Sequence, residues 1–451
     1  MKDIISQITM KELEQITYRA LQESFTEVMA HMLLEMDEAI AEGRDKKRFE
    51  LKDKRRLNLD SLFGRVSLRR NYYLDRKTGN YVYLLDQYLE FDGGKGMSPV
   101  VQELGIELAV TGPSYRHAED ALEKMLGYPV ISHEGIRQQL INTEVLPREK
   151  ETIKQNVLFV EVDGLYTKSQ EKGKKSKELK IASTHQGWEM NGKRASLIDK
   201  RHFIHQGKLP FWEEFEQYLT DTYHYDPTQH QLVINGDGAK WITSCREYFR
   251  NGIFVIDRFH IARDVQYIFR DHPRYRSIRK KFADYDAEGF MVELNTAVGT
   301  IGHERKEQRL EELISQLSQY PEALRDYRER LREKGIDTEG FRPMGSAEGT
   351  MSVFAKRLKQ GRSWSDLGLQ KMSDVMVALK DKLVIQMIHG ELQSEVNMQT
   401  NNAEEKPPKH FVEKLTKQVG EATRNNVAYL YQSIHKPVVS AFKRIKRVLK
   451  D

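Results

Sequence analysis

The chain has 451 residues, 39% of them hydrophobic and 31% charged, with a net charge of +5, and this length predicts two or three domains because single cores seldom grow past about 250–300 residues. No apolar run approaches the roughly 18 residues of a membrane helix, and the charged start MKDIISQITMKELEQ does not fit a signal peptide, so we expect a cytoplasmic protein. Cys245 is the single cysteine, which excludes an internal disulfide and zinc sites built on several thiolates.

The first predicted elements are a helix and a basic β-hairpin. Residues 1–44 carry apolar side chains at helical spacing, which predicts an N-terminal helical region. Residues 45–92 interleave Lys and Arg with short alternating segments, and Gly64 is typical of a hairpin turn. A basic β-ribbon suits phosphate contact, because Lys and Arg that displace counterions supply most non-specific DNA affinity. A solvated charged hairpin is the alternative.

Residues 93–150 predict two short helices that form a helix-turn-helix. The segment from Ser114 to Ile141 divides at Gly127-Tyr128-Pro129, and Ser114 and Ser132 each precede a helical pattern as N-caps. In a DNA-binding helix-turn-helix the second helix enters the major groove, whereas simple packing of a helical hairpin is the alternative. The residues that would contact DNA are His133, Arg137 and Gln138.

From residue 151 the pattern changes to strands alternating with helices. Apolar strands are predicted at 158–162, 179–184, 197–205, 231–236 and 252–256, with helices at 211–223 and after each of the last two strands. The order β-β-β-α-β-α-β-α is typical of an RNase H-like domain, an α/β fold in which helices flank a mixed sheet. We expect this domain to span residues 151–270 and 343–400, interrupted by a helical insertion at 271–342.

Two of these strands end in a carboxylate, Asp163 in VEVDG and Asp237 in INGDG. An Asp-Gly pair is also ordinary turn chemistry. However, two like charges at neighbouring strand ends repel unless cations lie between them, and Mg²⁺ prefers carboxylate oxygens completed by phosphates and water. A third acid should come from a helix, and a helix beginning near Ser346 has Glu348 in its first turn.

Four motifs in order, VEVDGLY, INGDGAKWI, VIDRFHIARDV and AEGTMSVFAKRLKQGRSWSDLG, resemble the ISLre-type insertion-sequence transposases over essentially the whole chain. The resemblance implies a DDE transposase that cuts and joins DNA ends by two-metal-ion phosphoryl transfer with Mg²⁺ or Mn²⁺. It implies that the catalytic acids and metal ligands are Asp163, Asp237 and Glu348. Other acids available for the third position are Glu304, Glu339 and Glu391.

Further residues are candidates for supporting roles. Asp257 and His260 form an Asp-x-x-His at a strand end, which either supports the active site or is a structural pair. Additional DNA contacts are predicted at Lys174, Lys175, Lys359 and Arg362. Residues 401–451 predict a polar linker and a basic C-terminal helix that supports DNA or a partner subunit.

The implied partners are double-stranded DNA, at the element's terminal repeats and at the target, and further copies of the chain. Two other classes of function are open. A catalytically inactive DNA-binding regulator would keep the basic modules and be expected to lose the acids. An RNase H-like nuclease would share the acids but hardly needs separate modules to recognise DNA ends.

Overall fold

A computed structural model describes residues 8–387 except Lys172, Lys174 and Lys175. The predicted DNA contacts Lys174 and Lys175, the acid Glu391 and the basic C-terminal helix therefore lie outside the described residues. The described residues divide into two compact units, one comprising residues 8–142 and Met387 and the other residues 143–386.

The first unit begins with a long helix, continues in a β-hairpin and ends in three helices. Its helices are α1 (Met10–Gly43), α2 (Leu84–Tyr88), α3 (Pro99–Thr111), α4 (Tyr115–Leu126) and α5 (His133–Ile141). Its strands are β1 (Phe49–Ser61), β2 (Gly64–Asp75) and β3 (Tyr81–Val82), paired antiparallel in that order. The predicted hairpin turn is at Gly64, where φ is 120° and glycine is favoured.

The hairpin has one buried face and one charged face because its side chains alternate along the strands. The buried face packs against the C-terminal half of α1, and its apolar contacts come from Leu33, Leu57, Leu59, Val66 and Leu68. Exposed Lys and Arg side chains alternate with these residues on the opposite face.

Helices α3, α4 and α5 pack around a small apolar core that includes Val101, Leu122 and Ile136. The predicted caps are confirmed. The Ser114 hydroxyl accepts a hydrogen bond from the backbone N–H of His117 at 3.1 Å, and the Ser132 hydroxyl accepts one from the N–H of Gly135 at 3.2 Å.

The second unit alternates strands and helices. Its strands are β4 (Thr143–Val145), β5 (Val157–Ser169), β6 (Lys177–His185), β7 (Trp188–Asn191), β8 (Arg194–Leu197), β9 (Arg201–Ile204), β10 (Gln231–Gly236), β11 (Ile253–Ile256), β12 (Ser363–Trp364) and β13 (Ile385–Met387). Its helices are α6 (Phe211–Tyr223), α7 (Lys240–Thr243), α8 (Cys245–Tyr248), α9 (Arg258–Phe269), α10 (Tyr275–Ala283), α11 (Ala287–Ala297), α12 (Glu304–Ser318), α13 (Tyr327–Glu333), α14 (Ala347–Leu358) and α15 (Asp366–Asp381).

The main sheet has the strand order β11-β10-β5-β6-β9, and β12 pairs with the end of β5. Strands β11, β10 and β5 run parallel, whereas β6 is antiparallel to both β5 and β9. The sheet is therefore mixed, with helices on both faces. One face packs mainly against α6, α9 and α12, and the other against α13 and Phe341.

The sequence prediction of one strand over residues 197–205 is wrong. The structure has a separate hairpin of β7 and β8, in which Asn191 pairs with Arg194, and β9 begins only at Arg201. The hairpin forms because Gly192 adopts a φ of 62°, as the central residues of a tight hairpin turn require. None of the described helices is long and apolar enough to cross a membrane.

Candidate active site at the carboxyl ends of the parallel strands

The parallel register brings three aspartates to one level of the sheet. Asn235 of β10 pairs with Glu161 of β5, so two residues further along each strand Asp237 comes level with Asp163. Gly236 pairs with Ile256 of β11, so the next residues, Asp237 and Asp257, are also level. Asp163 and Asp237 are therefore adjacent, with a third carboxylate directly after the next strand. The prediction that the first of these strands ends at Asp163 is wrong, because β5 continues to Ser169 through its pairing with β6, whereas Asp237 and Asp257 directly follow β10 and β11.

Asp163 is half-buried, and the charges of neighbouring side chains affect the pKa of its carboxyl. Burial raises the pKa of its carboxyl above the ordinary value, the N–H of Gly164 and the nearby His260 lower it, and the carboxylates of Asp237 and Asp257 raise it further. These influences show that the four side chains share one electrostatic environment. A cation placed between the carboxylates would relieve their mutual repulsion.

Asp237 lies in a tight turn immediately after β10. Its Oδ1 accepts a hydrogen bond from the N–H of Ala239 at 2.9 Å, and its carbonyl accepts one from Nε2 of Gln316 at 2.7 Å. Gly238 has a φ of 87°, and a Cβ at this position would lie 2.4 Å from Gln316 Nε2. The turn therefore requires glycine, and α12 holds it from the side.

Asp257 and His260 are paired, as their spacing suggested. His260 Nδ1 lies 2.5 Å from Asp257 Oδ2, and the other oxygen of Asp257 accepts a hydrogen bond from the N–H of Phe259 at the start of α9. The hydrogen bond that its ring donates to the Asp257 carboxylate raises the pKa of His260. Because Asp257 occupies Nδ1, chemistry at this ring would use Nε2.

A cleft of about 270 Å³ opens beside these residues. Its lining includes Asp237 and Asp257, which follow the strands, and residues of α9 and α12 such as His260 and Gln316. The two helices are joined by an ion pair in which Arg309 Nη2 lies 2.7 Å from Asp264 Oδ2. Arg263, which is exposed, also lines the cleft and gives it a positive group suited to a phosphate.

Glu348 is exposed in the first turn of α14, as predicted from the sequence. The helix begins next to the acid-bearing strand, because the N–H of Ala347 donates a hydrogen bond to Oε2 of Glu161 at 2.9 Å. Glu161 precedes Asp163 by two residues and points to the same face of β5. The alternative acid Glu304 begins α12, twelve residues before Gln316, which corresponds to about 18 Å along a helix.

The site also contains residues that sequence reasoning missed. Glu161 was interpreted only as part of an apolar strand, although a Glu in a segment that is otherwise buried calls for a partner. Lys200 is half-buried and its Nζ lies 2.7 Å from Oγ1 of Thr350 on α14. No local pattern in the sequence identifies Lys200, because its contact is with Thr350, a residue 150 positions further along the chain.

The structure places the predicted DNA-reading residues at the N-terminal end of α5. His133 Nδ1 lies 2.9 Å from Glu119, and Arg137 donates two hydrogen bonds to Glu134, at 2.9 and 2.7 Å. The Arg137 guanidinium holds the pKa of Glu134 at about 2. Gln138 also donates to Glu134. Solvent screens exposed pairs of this kind, so they contribute little to stability and a phosphate or base edge can replace them.

The hairpin concentrates positive charge on its exposed face. Arg56 and Arg69 are directly opposite each other in the ladder, and both are exposed. Arg56 donates to the Ser67 hydroxyl and Arg69 to the Lys54 carbonyl, and neither of these contacts neutralises charge. Like charges directly across a sheet are destabilising, so this surface favours an anionic partner.

The two remaining predicted DNA contacts lie at the far end of α14. Lys359 is exposed immediately after the helix. Arg362 folds back so that its Nη1 donates to the carbonyls of Lys356 and Lys359 at 3.0 and 2.9 Å, which caps the helix.

The acidic side chains are suited to a divalent cation without forming a complete cage for one. Among the residues that the structure describes, no three His, Cys, Asp or Glu side chains converge closely enough to hold a metal ion. Mg²⁺ is commonly held by one or two carboxylates, with waters and substrate phosphates as its other ligands. Asp163 and Asp237 fit that pattern.

A mixed sheet flanked by helices, with an acidic cleft at the carboxyl ends of its parallel strands, defines this chain as an α/β protein with a polar site at the sheet edge. The family model described as "Uncharacterised protein family (UPF0236)" matches residues 4–429. The chain therefore belongs to the UPF0236 family.

Several relatives align along most of the chain. The "UPF0236 protein in vanSb 3'region" of Streptococcus gallolyticus is 29% identical over 83% of this chain and 84% of its own length. UPF0236 protein TTE2489 of Caldanaerobacter subterraneus subsp. tengcongensis is 26% identical over 93% of this chain and 89% of its own length. A further relative from that organism, whose name joins eleven labels from TTE0033 to TTE2212, is 25% identical over 93% of this chain and 88% of its own length.

Proposed function

We propose that the protein is a DDE-type transposase of a bacterial insertion sequence, with an RNase H-like catalytic domain that cuts and joins DNA ends. The observation that carries this proposal is the level placement of Asp163, within β5, and Asp237, directly after the adjacent parallel strand β10. The strand order β11-β10-β5-β6-β9, with β6 antiparallel, supports an RNase H-like sheet. The four motifs that resemble ISLre-type transposases include both of these acids and the helix that carries Glu348.

The chemistry assigned to the site is phosphoryl transfer with Mg²⁺ or Mn²⁺. Asp163 and Asp237 would hold the ions, and Glu348 would supply a further carboxylate from α14. When bound, divalent ions lower the pKa of the attacking water or DNA 3′-hydroxyl and stabilise the leaving oxygen. The chain's own part is to align the DNA phosphate in the cleft, where Arg263 offers positive charge.

Asp257 and His260 fit a supporting role in this site. The carboxylate of Asp257 is occupied by His260 and by the helix N-terminus. It therefore serves better to orient the imidazole than to bind a metal directly. His260 would hold a water or a phosphate oxygen next to Asp163.

The names of the relatives support a mobile element. One of them joins eleven labels of a single organism, and another joins four. A protein encoded at many loci of one genome is expected when its gene lies in a DNA element that moves and is copied. The basic hairpin and the helix-turn-helix supply the separate DNA-binding modules that recognition of element ends requires.

The decisive experiment measures strand cleavage of a linear duplex that carries the DNA flanking the gene on both sides, with Mg²⁺ or Mn²⁺. We expect Asp163→Asn, Asp237→Asn and Glu348→Gln each to abolish cleavage and joining, because an amide offsets no cationic charge. DNA binding by the same preparations should persist, since it is assigned to residues outside this acidic site. The matched control is Asp221→Asn, an exposed acid on α6, which should cleave like the wild type.

Each result has a definite interpretation. Cleavage at the wild-type rate by one variant removes that residue from the site. DNA binding without metal-dependent cleavage by the wild type identifies a regulator instead of a transposase. Cleavage with no preference for the flanking ends, and no joining, identifies a nuclease.

A further inference from the structure

The central strand of the sheet contains a buried carboxylate that the proposed chemistry does not use. Glu161 of β5 is 1% exposed, and the residues opposite it on the neighbouring strands are Asn235 on β10 and Ser183 on β6. Burying a carboxylate is costly unless the group is hydrogen-bonded or paired. Its partners therefore indicate what it does.

Glu161 caps a helix from outside that helix. Its Oε2 accepts a hydrogen bond from the N–H of Ala347, the first residue of α14, at 2.9 Å. Ser346 precedes α14 with helical backbone angles, and its own side chain does not cap the helix. The strand carboxylate thus takes the place of an N-cap, at the end of the helix dipole that favours negative charge.

The surroundings hold this carboxylate in one orientation. His185 is fully buried, stacks on Phe159 with ring centroids 5.0 Å apart, and places Nε2 3.6 Å from the second oxygen of Glu161. Lys200, directly before β9, contacts the hydroxyl of Ser346, which precedes α14, and that of Thr350 in its first turn. The start of α14 is therefore attached to β5 through Glu161 and to the segment before β9 through Lys200.

We infer that Glu161 is the positioning residue for the third acid, Glu348, and this inference rests on the proposed transposase function. Glu161 and Asp163 point to the same face of β5 two residues apart, about 7 Å along the strand. Glu348 directly follows the residue whose N–H Glu161 holds. One buried carboxylate therefore sets the distance between the acid on the strand and the acid on the helix.

The test compares three full-length variants with the wild type. Glu161→Met keeps the volume and removes the acceptor, whereas Glu161→Gln keeps an acceptor oxygen and removes the charge. Asp326→Ala is the matched control, because Asp326 is also a buried N-cap, accepts from the N–H of Arg328 at 3.0 Å, and caps α13 instead of α14. The measurements are amide hydrogen exchange by mass spectrometry and the Mn²⁺ concentration that gives half-maximal cleavage.

We expect Glu161→Met to speed exchange in residues 347–351 and to raise the half-maximal Mn²⁺ concentration about tenfold, as loss of an outer partner of a metal ligand typically does. Glu161→Gln should raise it about threefold, because a neutral acceptor holds the helix end less strongly. Asp326→Ala should speed exchange in α13 and leave the Mn²⁺ requirement within about twofold of the wild type.

The two hypotheses can fail separately. If the wild type cleaves and Glu161→Met has an unchanged Mn²⁺ requirement, the positioning role is wrong while the transposase proposal stands. Faster exchange in 347–351 with no change in Mn²⁺ requirement also overturns it, since the contact is then structural only. If Glu161→Met does not fold, the Glu161→Gln variant tests the inference instead. An Mn²⁺ requirement of Glu161→Gln equal to that of the wild type then overturns the inference. Absence of metal-dependent cleavage by the wild type overturns both.

Discussion

Asp37 shows how a single buried carboxylate shapes the first unit. It is 1% exposed on α1, and its Oδ2 accepts a hydrogen bond from the N–H of Asn71 on β2 at 2.8 Å. The ladder between β1 and β2 shifts register between Leu51 and Asp53, close to this contact. Asp37 thus ties the long helix to the hairpin where strand pairing is irregular.

The charge of Asp37 is expected to reduce stability at neutral pH. Burial raises the pKa of its carboxyl, so the folded protein binds this proton more tightly than the unfolded chain does. The free energy of unfolding therefore falls as pH rises through the raised pKa. Asp37→Asn keeps an acceptor for Asn71 and should increase the free energy of unfolding at pH 7 by about 1 kcal/mol.

Urea denaturation of the wild type and Asp37→Asn at several pH values measures this effect. The difference between them should vanish below the ordinary pKa of aspartate and should grow as pH rises toward neutral. A variant that is less stable than the wild type at pH 7 contradicts the argument, because the hydrogen bond would then require the charged group.

At this scale the sequence predicted the acids that directly follow apolar runs and missed one that lies within such a run. Asp163 and Asp237 could be found because each follows an apolar run directly, and the position of Glu348 followed from the predicted start of its helix. Glu161 could not be assigned, because its partners Ala347 and His185 are distant in the chain. Only the folded sheet shows why a charge belongs there.

Among the elements, α5 contains the residues that we predict to contact DNA bases. Its second turn presents Arg137 and Gln138, both bonded to the exposed Glu134. Entry of this helix into a major groove would exchange that pairing for contacts with bases or phosphates. In the free protein, Glu134 holds the Arg137 side chain in place.

Arg137→Ala should weaken binding to the flanking end DNA by about 1–3 kcal/mol, the value of one good base contact, with a smaller effect on unrelated duplex. Binding to the two duplexes at one fixed salt concentration measures this difference. Arg116→Ala on α4 is a suitable control, because it changes the charge equally outside the predicted reading helix. An equal loss on both DNAs would assign Arg137 to phosphate contact alone.

Short elements were harder to predict than long ones. Helix α6 was predicted with its observed bounds, since its apolar residues Phe215 and Leu219 recur at helical spacing. The β7–β8 hairpin was missed because its strands have four residues each and are largely exposed, so they have no strong alternation. The available signal was Gly192 followed by Lys193, a turn pair with glycine at the first central position.

For the whole molecule, the division into two units predicts that DNA affinity and cleavage can be changed independently. The exposed arginines Arg56 and Arg69 belong to the first unit, and the acidic cleft belongs to the second. Substitutions in the hairpin should therefore act on binding, whereas substitutions of the acids should act on the chemical step.

The double variant Arg56→Gln, Arg69→Gln should reduce the slope of log affinity against log salt by about 2, because two phosphate contacts are lost. Cleavage at saturating DNA should stay within about twofold of the wild type. Arg76→Gln is the control, since Arg76 is already paired with Glu50 at 3.1 Å. A slope unaffected by the double variant would show that the hairpin is a solvated surface.

Because α14 is attached directly to β5, the position of the helix does not depend on the length of the chain between them. A helix placed only by its connection would shift whenever the preceding segment changed length, but here a contact across the sheet fixes it. Lengthening a flexible connection costs little, about 0.6 kcal/mol of closure entropy for each doubling. The exposed turn at Gly299–Gly302, between α11 and α12, is thus a site where a reporter domain could be inserted without displacing the start of α14 from β5.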